Sequence, residues 1–285
     1  MQGLITKIVS NQYQVTVDDK NYQCIARGKL RLNGRPLVGD LVLFTERSEK
    51  CSIETILPRR NRLVRPAIAN VDQVVLVMSA TQPEFSTTLV DRLSFCINYE
   101  NLPVNLIVTK LDLLADDSTV RAIMAKYQSC GFTVVDAFDV TGLLSLFENK
   151  ITVLAGQSGV GKSTSLNRLN PEFDLVTQEI FRALKRGKHT TRYCSLYPIG
   201  SGWVADTPGF SSIDWSNIII EYFSNSPSDW QEFLGQCKYR NCIHEFEPGC
   251  KIKEMVQAGK LWEQRYQHYL DCLQLIRATK KKVES

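Results

Sequence analysis

The sequence predicts a multidomain α/β protein. It reads as a small N-terminal β-barrel, a central P-loop domain with a mainly parallel sheet, and a helical C-terminal segment around a zinc site. Three observations carry that prediction. Residues 1–57 break into short strands and turns. From about residue 71 strands alternate with helices and lead into a phosphate-binding loop. Three cysteines and a histidine then crowd into 237–250. At 285 residues, 44% hydrophobic and 22% charged, the chain is long enough for two or three separate cores. The expected domains are 1–65, 66–214 and 215–285.

The first domain rests on period-2 alternation. Tyr13 to Val17 alternates, Tyr22 to Ala26 is strand-like, and Asp40 to Phe44 is another strand, with Asn33-Gly34 and Val38-Gly39-Asp40 supplying turns. A short, basic, all-β segment fits an oligonucleotide-binding (OB-type) barrel, with an SH3-like barrel as the alternative. Pro58-Arg59-Arg60-Asn61-Arg62 through Arg65-Pro66 reads as a basic linker.

In the central domain the pattern predicts strands at 74–78, 104–108, 132–135 and 151–155, with helices at 87–99 and 120–129. After about 214 the chain reads as mostly helical. There Trp262, Tyr266, Tyr269, Leu270, Leu273 and Ile276 form an apolar stripe at helical spacing, expected to be core.

The net charge of +4 is unevenly spread: both ends are basic and residues 71–236 are acidic. That suits an enzyme core flanked by anion-seeking modules, or ordinary solvated surface. No apolar run of about 18 residues occurs, so no membrane span is expected. Nothing in the first residues resembles a secretory signal, and nine scattered cysteines do not form a disulfide framework. Reduced thiols in the cytoplasm are the expectation.

The strongest motif is Gly156-Gln157-Ser158-Gly159-Val160-Gly161-Lys162-Ser163-Thr164, a P-loop of form G-x-x-x-x-G-K-[ST]. Glycines let backbone N–H groups wrap phosphates, Lys162 is placed to reach the β and γ oxygens, and Ser163 to ligate Mg²⁺. Upstream lies Thr109-Lys110-Leu111-Asp112, which has the form of a guanine-reading motif with Thr in place of the usual Asn. Asp112 is the residue to accept from guanine N1–H and N2–H₂, and Lys110 to lay its stem along the base. In an ordinary GTPase the P-loop comes first and this motif later. Either the match at 109–112 is accidental or the domain is circularly permuted. A parallel sheet tolerates permutation, because each loop still sits at the C-terminal edge of its strand.

Downstream, Asp206-Thr207-Pro208-Gly209 resembles a GTPase switch II, with Asp206 for Mg²⁺ and the Gly209 N–H for the γ-phosphate. Between them Arg186-Gly187-Lys188-His189-Thr190-Thr191-Arg192 offers Thr190 or Thr191 as the switch I threonine, with Thr191 favoured. Cys237, Cys242, His244 and Cys250, spaced C-x4-C-x-H-x5-C, suit a structural tetrahedral Zn²⁺, one per chain, with every position filled by protein. The other cysteines (Cys24, Cys51, Cys96, Cys130, Cys194 and Cys272) are expected to be buried apolar residues.

Together, TKLD at 109–112, GQSGVGKST at 156–164, GKHTTR at 187–192, DTPGF at 206–210 and the Cys-Cys-His-Cys set resemble one family: the ribosome small-subunit-dependent, circularly permuted GTPases of the RsgA/YjeQ type. The resemblance spans nearly the whole chain. It implies an OB-type barrel, a permuted GTPase and a zinc domain. It also implies GTP hydrolysed with Mg²⁺, and late maturation of the small ribosomal subunit by a cytoplasmic protein that grips rRNA. A monomer is expected. Phe210 stands where Ras-like enzymes carry a water-orienting Gln, which makes His189 the candidate for that role. An ATPase with a fortuitous Asp112 and an RNA-binding scaffold are the alternatives. The order of motifs runs switch II almost directly into the zinc segment, which implies that nucleotide state is communicated there.

Overall fold

The computed structural model describes residues 1–26, 34–47, 50–64, 66–170, 194–206 and 215–284. By its internal contacts the chain forms two compact units. One holds 1–75, 138–155 and 162–210; the other holds 76–137, 156–161 and 211–285.

The first unit begins with five strands, β1 (Gln2–Val9), β2 (Gln12–Val17), β3 (Lys20–Ala26), β4 (Leu41–Arg47) and β5 (Lys50–Ile56). Their order is β1-β2-β3-β5-β4, and β4 pairs back onto β1, so the sheet closes on itself. The β3–β5 pair is parallel and the others are antiparallel. That five-stranded closure is OB-type and decides against the SH3-like alternative. Alternating residues fill the interior, including Ile5, Val15, Cys24, Val42, Phe44 and Ile53.

The stretch expected to be a basic linker is instead tied down. Arg59 donates to both oxygens of buried Asp40, at 2.6 and 2.8 Å, and Arg60 pairs with Asp72. Beyond them β6 (Arg62–Leu63) and β7 (Ile68–Ala69) form a short antiparallel ribbon. Two of the arginines that look free in the sequence are therefore committed to carboxylates.

The same unit continues through α3 (Val140–Phe147), β11 (Ile151–Ala155), α4 (Lys162–Leu169), β12 (Ser195–Ile199) and β13 (Gly202–Asp206). β11 runs parallel to β13, and β12 pairs antiparallel with both β13 and β1. Buried Gln73 supports the base of β11: its amide donates to Thr152 Oγ1 at 2.9 Å and to the Leu146 carbonyl at 2.7 Å.

The second unit contains the end of β8 (Gln73–Ser79), then α1 (Thr87–Tyr99), β9 (Val104–Thr109), α2 (Ser118–Ser129) and β10 (Val134–Asp136), with strand order β10-β9-β8. β8 is buried at every position, as a strand covered on both faces must be. α1 starts at Ser86, whose hydroxyl accepts from the Leu89 N–H. The helical remainder is α5 (Ile220–Phe223), a 3-10 turn at Ser228–Phe233, α6 (Lys251–Gln257) and α7 (Glu263–Glu284). Its core joins Phe95 of α1 to Phe223, Trp230, Tyr269, Cys272, Leu273 and Ile276. Of the predicted stripe, Tyr269, Leu273 and Ile276 are buried in that core and Tyr266 and Leu270 pack half-buried against it, while half-buried Trp262 precedes α7. Of the six cysteines expected inside, Cys51 and Cys96 are only half-buried and the other four are buried. No helix among the described residues is long and apolar enough to cross a membrane.

Candidate nucleotide site and metal centre

β11 delivers the chain into the P-loop, and α4 opens at Lys162, so the loop is a strand-to-helix turn. Gly156 (φ +140°) crosses the end of β8 so closely that a Cβ would lie 2.3 Å from the Val77 carbonyl oxygen. Only glycine fits there. Gln157, Ser158 and Gly159 stand exposed at the loop's tip, while Val160 is buried and anchors it. Ser163 and Thr164 are exposed on the first turn of α4. Burial lowers the Lys162 pKa from its usual value, so a phosphate is a better partner for that ammonium than partial hydration.

The motif at 109–112 meets this loop. Buried Thr109 ends β9, and its hydroxyl donates to the Val160 carbonyl at 2.5 Å. Lys110 is left-handed (φ +59°), which turns its side chain back; its ammonium donates to the Gly159 carbonyl at 2.8 Å and to the Gln82 carbonyl. Two neighbouring carbonyls of the P-loop are thus held by two neighbouring residues of the other motif. Leu111 is buried beneath a 3-10 turn, which leaves Asp112 exposed beside it. Sequence reasoning missed the Gln82 carbonyl and the P-loop contact of Thr109. Neither leaves a pattern, because one is backbone and the other depends on which strands lie together.

Of Asp206 the backbone is described, at the end of β13 paired with Ser195. His189, Thr190, Thr191, Gly209 and Phe210 lie outside the described residues.

The cysteine cluster assembles as the spacing predicts. The ligand atoms of Cys237, Cys242, His244 and Cys250 all lie within 4.8 Å of one another. His244 Nδ1 is 3.6, 3.5 and 3.4 Å from the three Sγ atoms, and Cys237 Sγ is 4.0 Å from Cys250 Sγ. A tetrahedral zinc with ordinary bond lengths sets N···S at about 3.6 Å and S···S at about 3.8 Å. The residues therefore fit that ion. Their protonation points the same way. Burial lowers the His244 pKa to about 4, which keeps the imidazole a neutral ligand. Burial also pushes the Cys242 thiol up to about 12, a penalty that a divalent cation reverses. The Lys251 N–H, at the start of α6, donates to Cys237 Sγ at 3.3 Å, a second-layer contact of the kind that holds metal thiolates.

Sequence reasoning also missed a buried charged cluster. Asp91 accepts from Arg265 Nη1, from the Tyr127 hydroxyl at 3.1 Å, and is 2.6 Å from His268 Nδ1; Asp229 takes Arg265 Nε at 3.0 Å. The available signal was an Arg and a His three residues apart within the aromatic stripe of α7.

Fold and sites together define a P-loop GTPase whose guanine-type motif precedes its phosphate loop, with an OB-type barrel before it in the chain and a Cys/His metal cluster after it. A profile of the RsgA GTPase matches residues 56–216, and one of the RsgA N-terminal domain matches 2–53. The small ribosomal subunit biogenesis GTPase RsgA of Streptococcus pyogenes serotype M3 is 42% identical over 288 residues, covering 99% of each chain. RsgA 2 of Listeria monocytogenes is 42% identical over 287 residues, covering 98% of this chain and 99% of its own. Among solved structures, YloQ, a circularly permuted GTPase, superposes with a TM-score of 0.83 at 34% identity, covering 99% of this chain and 95% of its own. YjeQ from Thermotoga maritima gives 0.80 at 31%, covering 98% of each. The chain belongs to the RsgA/YjeQ family of circularly permuted GTPases.

Proposed function

We propose that this chain hydrolyses GTP to GDP and phosphate on the small ribosomal subunit and assists that subunit's late maturation, with turnover stimulated by the subunit. The observation that carries the reading is the grip of Thr109 and Lys110 on the Val160 and Gly159 carbonyls. It supports a single nucleotide site that combines a base-reading motif with a phosphate-binding motif. Asp112 reads the guanine edge. The N–H groups of 156–164 and the Lys162 ammonium hold the phosphates and stabilise charge as it develops on the γ-phosphoryl group. Ser163, Thr191 and Asp206 would hold the Mg²⁺ that accompanies GTP, and that ion would offset charge on the phosphates. The Gly209 N–H senses the γ-phosphate, and His189 orients the attacking water. Cys237, Cys242, His244 and Cys250 hold one structural Zn²⁺.

The domains of this reading are 1–65, 66–214 and 215–285. The basic flanks of the chain contact rRNA phosphates, and the protein acts in the cytoplasm, where that substrate lies, as a monomer carrying every part of the site on one chain. Hydrolysis of GTP and of ATP, side by side, with and without purified small subunits, tests it. GTP turnover that rises with subunits is expected. Equal use of ATP makes the protein an ATPase; absence of any stimulated turnover makes it an RNA-binding scaffold. His189→Ala separates the water-positioning role, since unchanged stimulated turnover removes that residue.

A further inference from the structure

The loop from Cys237 to Cys250 holds an aromatic ring out in water on a fixed support. Phe246 is 82% exposed, the highest value among the exposed large hydrophobic side chains of the described residues. The backbone leading to it is anchored three times in succession. The Tyr269 hydroxyl donates to the Ile243 carbonyl at 2.7 Å, the Tyr266 hydroxyl to the His244 carbonyl at 2.8 Å, and the Lys253 ammonium to the Glu245 carbonyl at 3.2 Å. On its other side the Glu247 carboxylate accepts from the Ile243 and Glu245 N–H groups at 2.8 and 2.9 Å. A ring on a loose loop folds back onto the surface; this one is prevented from doing so, although burying it would be favourable.

Charge on the same loop is sorted. Both acidic neighbours of Phe246 are engaged, Glu247 by those backbone amides and Glu245 by the Arg277 guanidinium, whose Nη1 donates at 2.7 Å. On the other limb Lys238, Tyr239 and Arg240 are exposed, with the Lys238 ammonium 5.5 Å from the centre of the Tyr239 ring. The Lys238 N–H donates to the Gly249 carbonyl at 3.0 Å, which ties the two limbs together. Two exposed aromatic rings and two exposed cations therefore share one closed loop whose carboxylates are already satisfied. A protein partner's apolar groove calls for a continuous apolar face, and Lys238, Arg240 and Asn241 interrupt any such face here. A nucleobase with flanking phosphates matches both halves: the rings stack on the base and the cations take the phosphates.

We propose that Phe246 and Tyr239 form a stacking platform for an unpaired nucleotide of small-subunit RNA, with Lys238 and Arg240 on its flanking phosphates. This deepens the functional reading above and rests on it. In the full-length protein, Phe246→Ala is expected to weaken small-subunit binding about 5- to 150-fold, while Phe246→Trp stays within a few-fold of the parent. Metal content, thermal midpoint and GTP affinity are expected to be unchanged, because the ring touches solvent rather than core. Lys238→Gln with Arg240→Gln is expected to flatten the salt dependence of binding. A photocrosslinking benzoyl-phenylalanine in place of Phe246 is expected to label rRNA. Its labelling a ribosomal protein, or nothing, overturns the proposal, and it decides the matter should the alanine variant misfold. Parent protein that fails to bind subunits overturns the functional reading and this inference with it; parent and Phe246→Ala binding equally well overturns this inference alone.

Discussion

The hydroxyl of Thr109 lies 2.5 Å from the carbonyl oxygen of Val160. Thr109 stands where the guanine motif ordinarily has Asn, yet its side chain is spent on the P-loop. The same oxygen reaches no further than the Met78 carbonyl at 3.4 Å. The residue braces the P-loop, and in the proposed reading the base falls to Asp112. Thr109→Val keeps the shape and removes the donor, leaving a buried carbonyl unpaired at a cost of roughly 1–3 kcal/mol. The expected result is GTP and GDP affinity weakened together, with the preference for GTP over ATP unchanged. Thr109→Ser, which keeps the donor, stays near the parent. Equilibrium titrations with all three nucleotides check this.

Asp112 carries the complementary prediction. It is exposed beyond buried Leu111 and is not engaged by the P-loop contacts of its neighbours. Asp112→Asn replaces an acceptor pair with one acceptor and one donor, which mismatches guanine and matches xanthine. GTP binding is expected to fall by a factor of ten or more, on the order of 1.4 kcal/mol or above, with a gain for xanthosine nucleotides. Competition binding reads it, with the thermal midpoint as the control for folding.

Gly156→Ala tests the loop's packing rather than its chemistry. The new methyl would sit 2.3 Å from the backbone oxygen of Val77, which belongs to a fully buried strand and has nowhere to go. Nucleotide binding is expected to be lost, with a stability loss of about 1–3 kcal/mol from the strained turn. Gly159→Ala is the contrast. Nothing lies within 4 Å of its added methyl, so only its positive φ opposes the change.

What the sequence reveals here follows from how local each signal is. The strand-to-helix turn at 156–161 and the clustering of Cys237, Cys242, His244 and Cys250 were legible because a contiguous segment supplies nearly every atom of each arrangement. The buried strand predicted at 74–78, observed as Gln73–Ser79, and the helix at 87–99 read correctly because periodicity survives in one dimension. β1 was hidden: Gln2–Val9 carries a bulge between Ile5 and Lys7 that breaks its alternation. α3 was hidden too, because Gly142 sits in it and its eight residues are too few for a clear period. The basic linker misread for a different reason. Arg59 and Arg60 find their carboxylates at Asp40 and Asp72, and pairing across that distance leaves no mark in the chain.

Removing the metal should act locally. The Trp230 ring stands 5.7 Å from the His244 ring and 4.7 Å from that of Tyr269, so its fluorescence reports on the cluster. Chelation leaves two buried thiols, the half-buried thiol of Cys237 and a buried imidazole with no cation among them. Hydrogen exchange is expected to accelerate across 237–250, with a changed Trp emission and a lower thermal midpoint. GTP affinity is expected to hold within a few-fold, because the contacts of Thr109 and Lys110 with the P-loop do not involve the cluster. Cys250→Ser should reproduce the effect without chelator.

The last prediction concerns Asp91 on α1 and Arg265 on α7, both fully buried. Burial alone lowers the Arg265 pKa, but Asp229 and Asp91 more than offset it, so the guanidinium stays charged. It also lies 4.4 Å from the centre of the Phe95 ring. Asp91 is the hub, since Arg265, His268 and Tyr127 all converge on its carboxylate. A buried pair of this kind contributes little beyond what apolar packing would, yet breaking it leaves an uncompensated charge. Asp91→Ala is therefore expected to cost about 3–5 kcal/mol, far more than an average substitution. Because Arg265→Ala removes the charge that Asp91→Ala strands, the double variant should lose clearly less than the two single losses combined. Denaturant unfolding of the four proteins measures that coupling. Additive losses would mean that the two helices are held by their aromatic core alone.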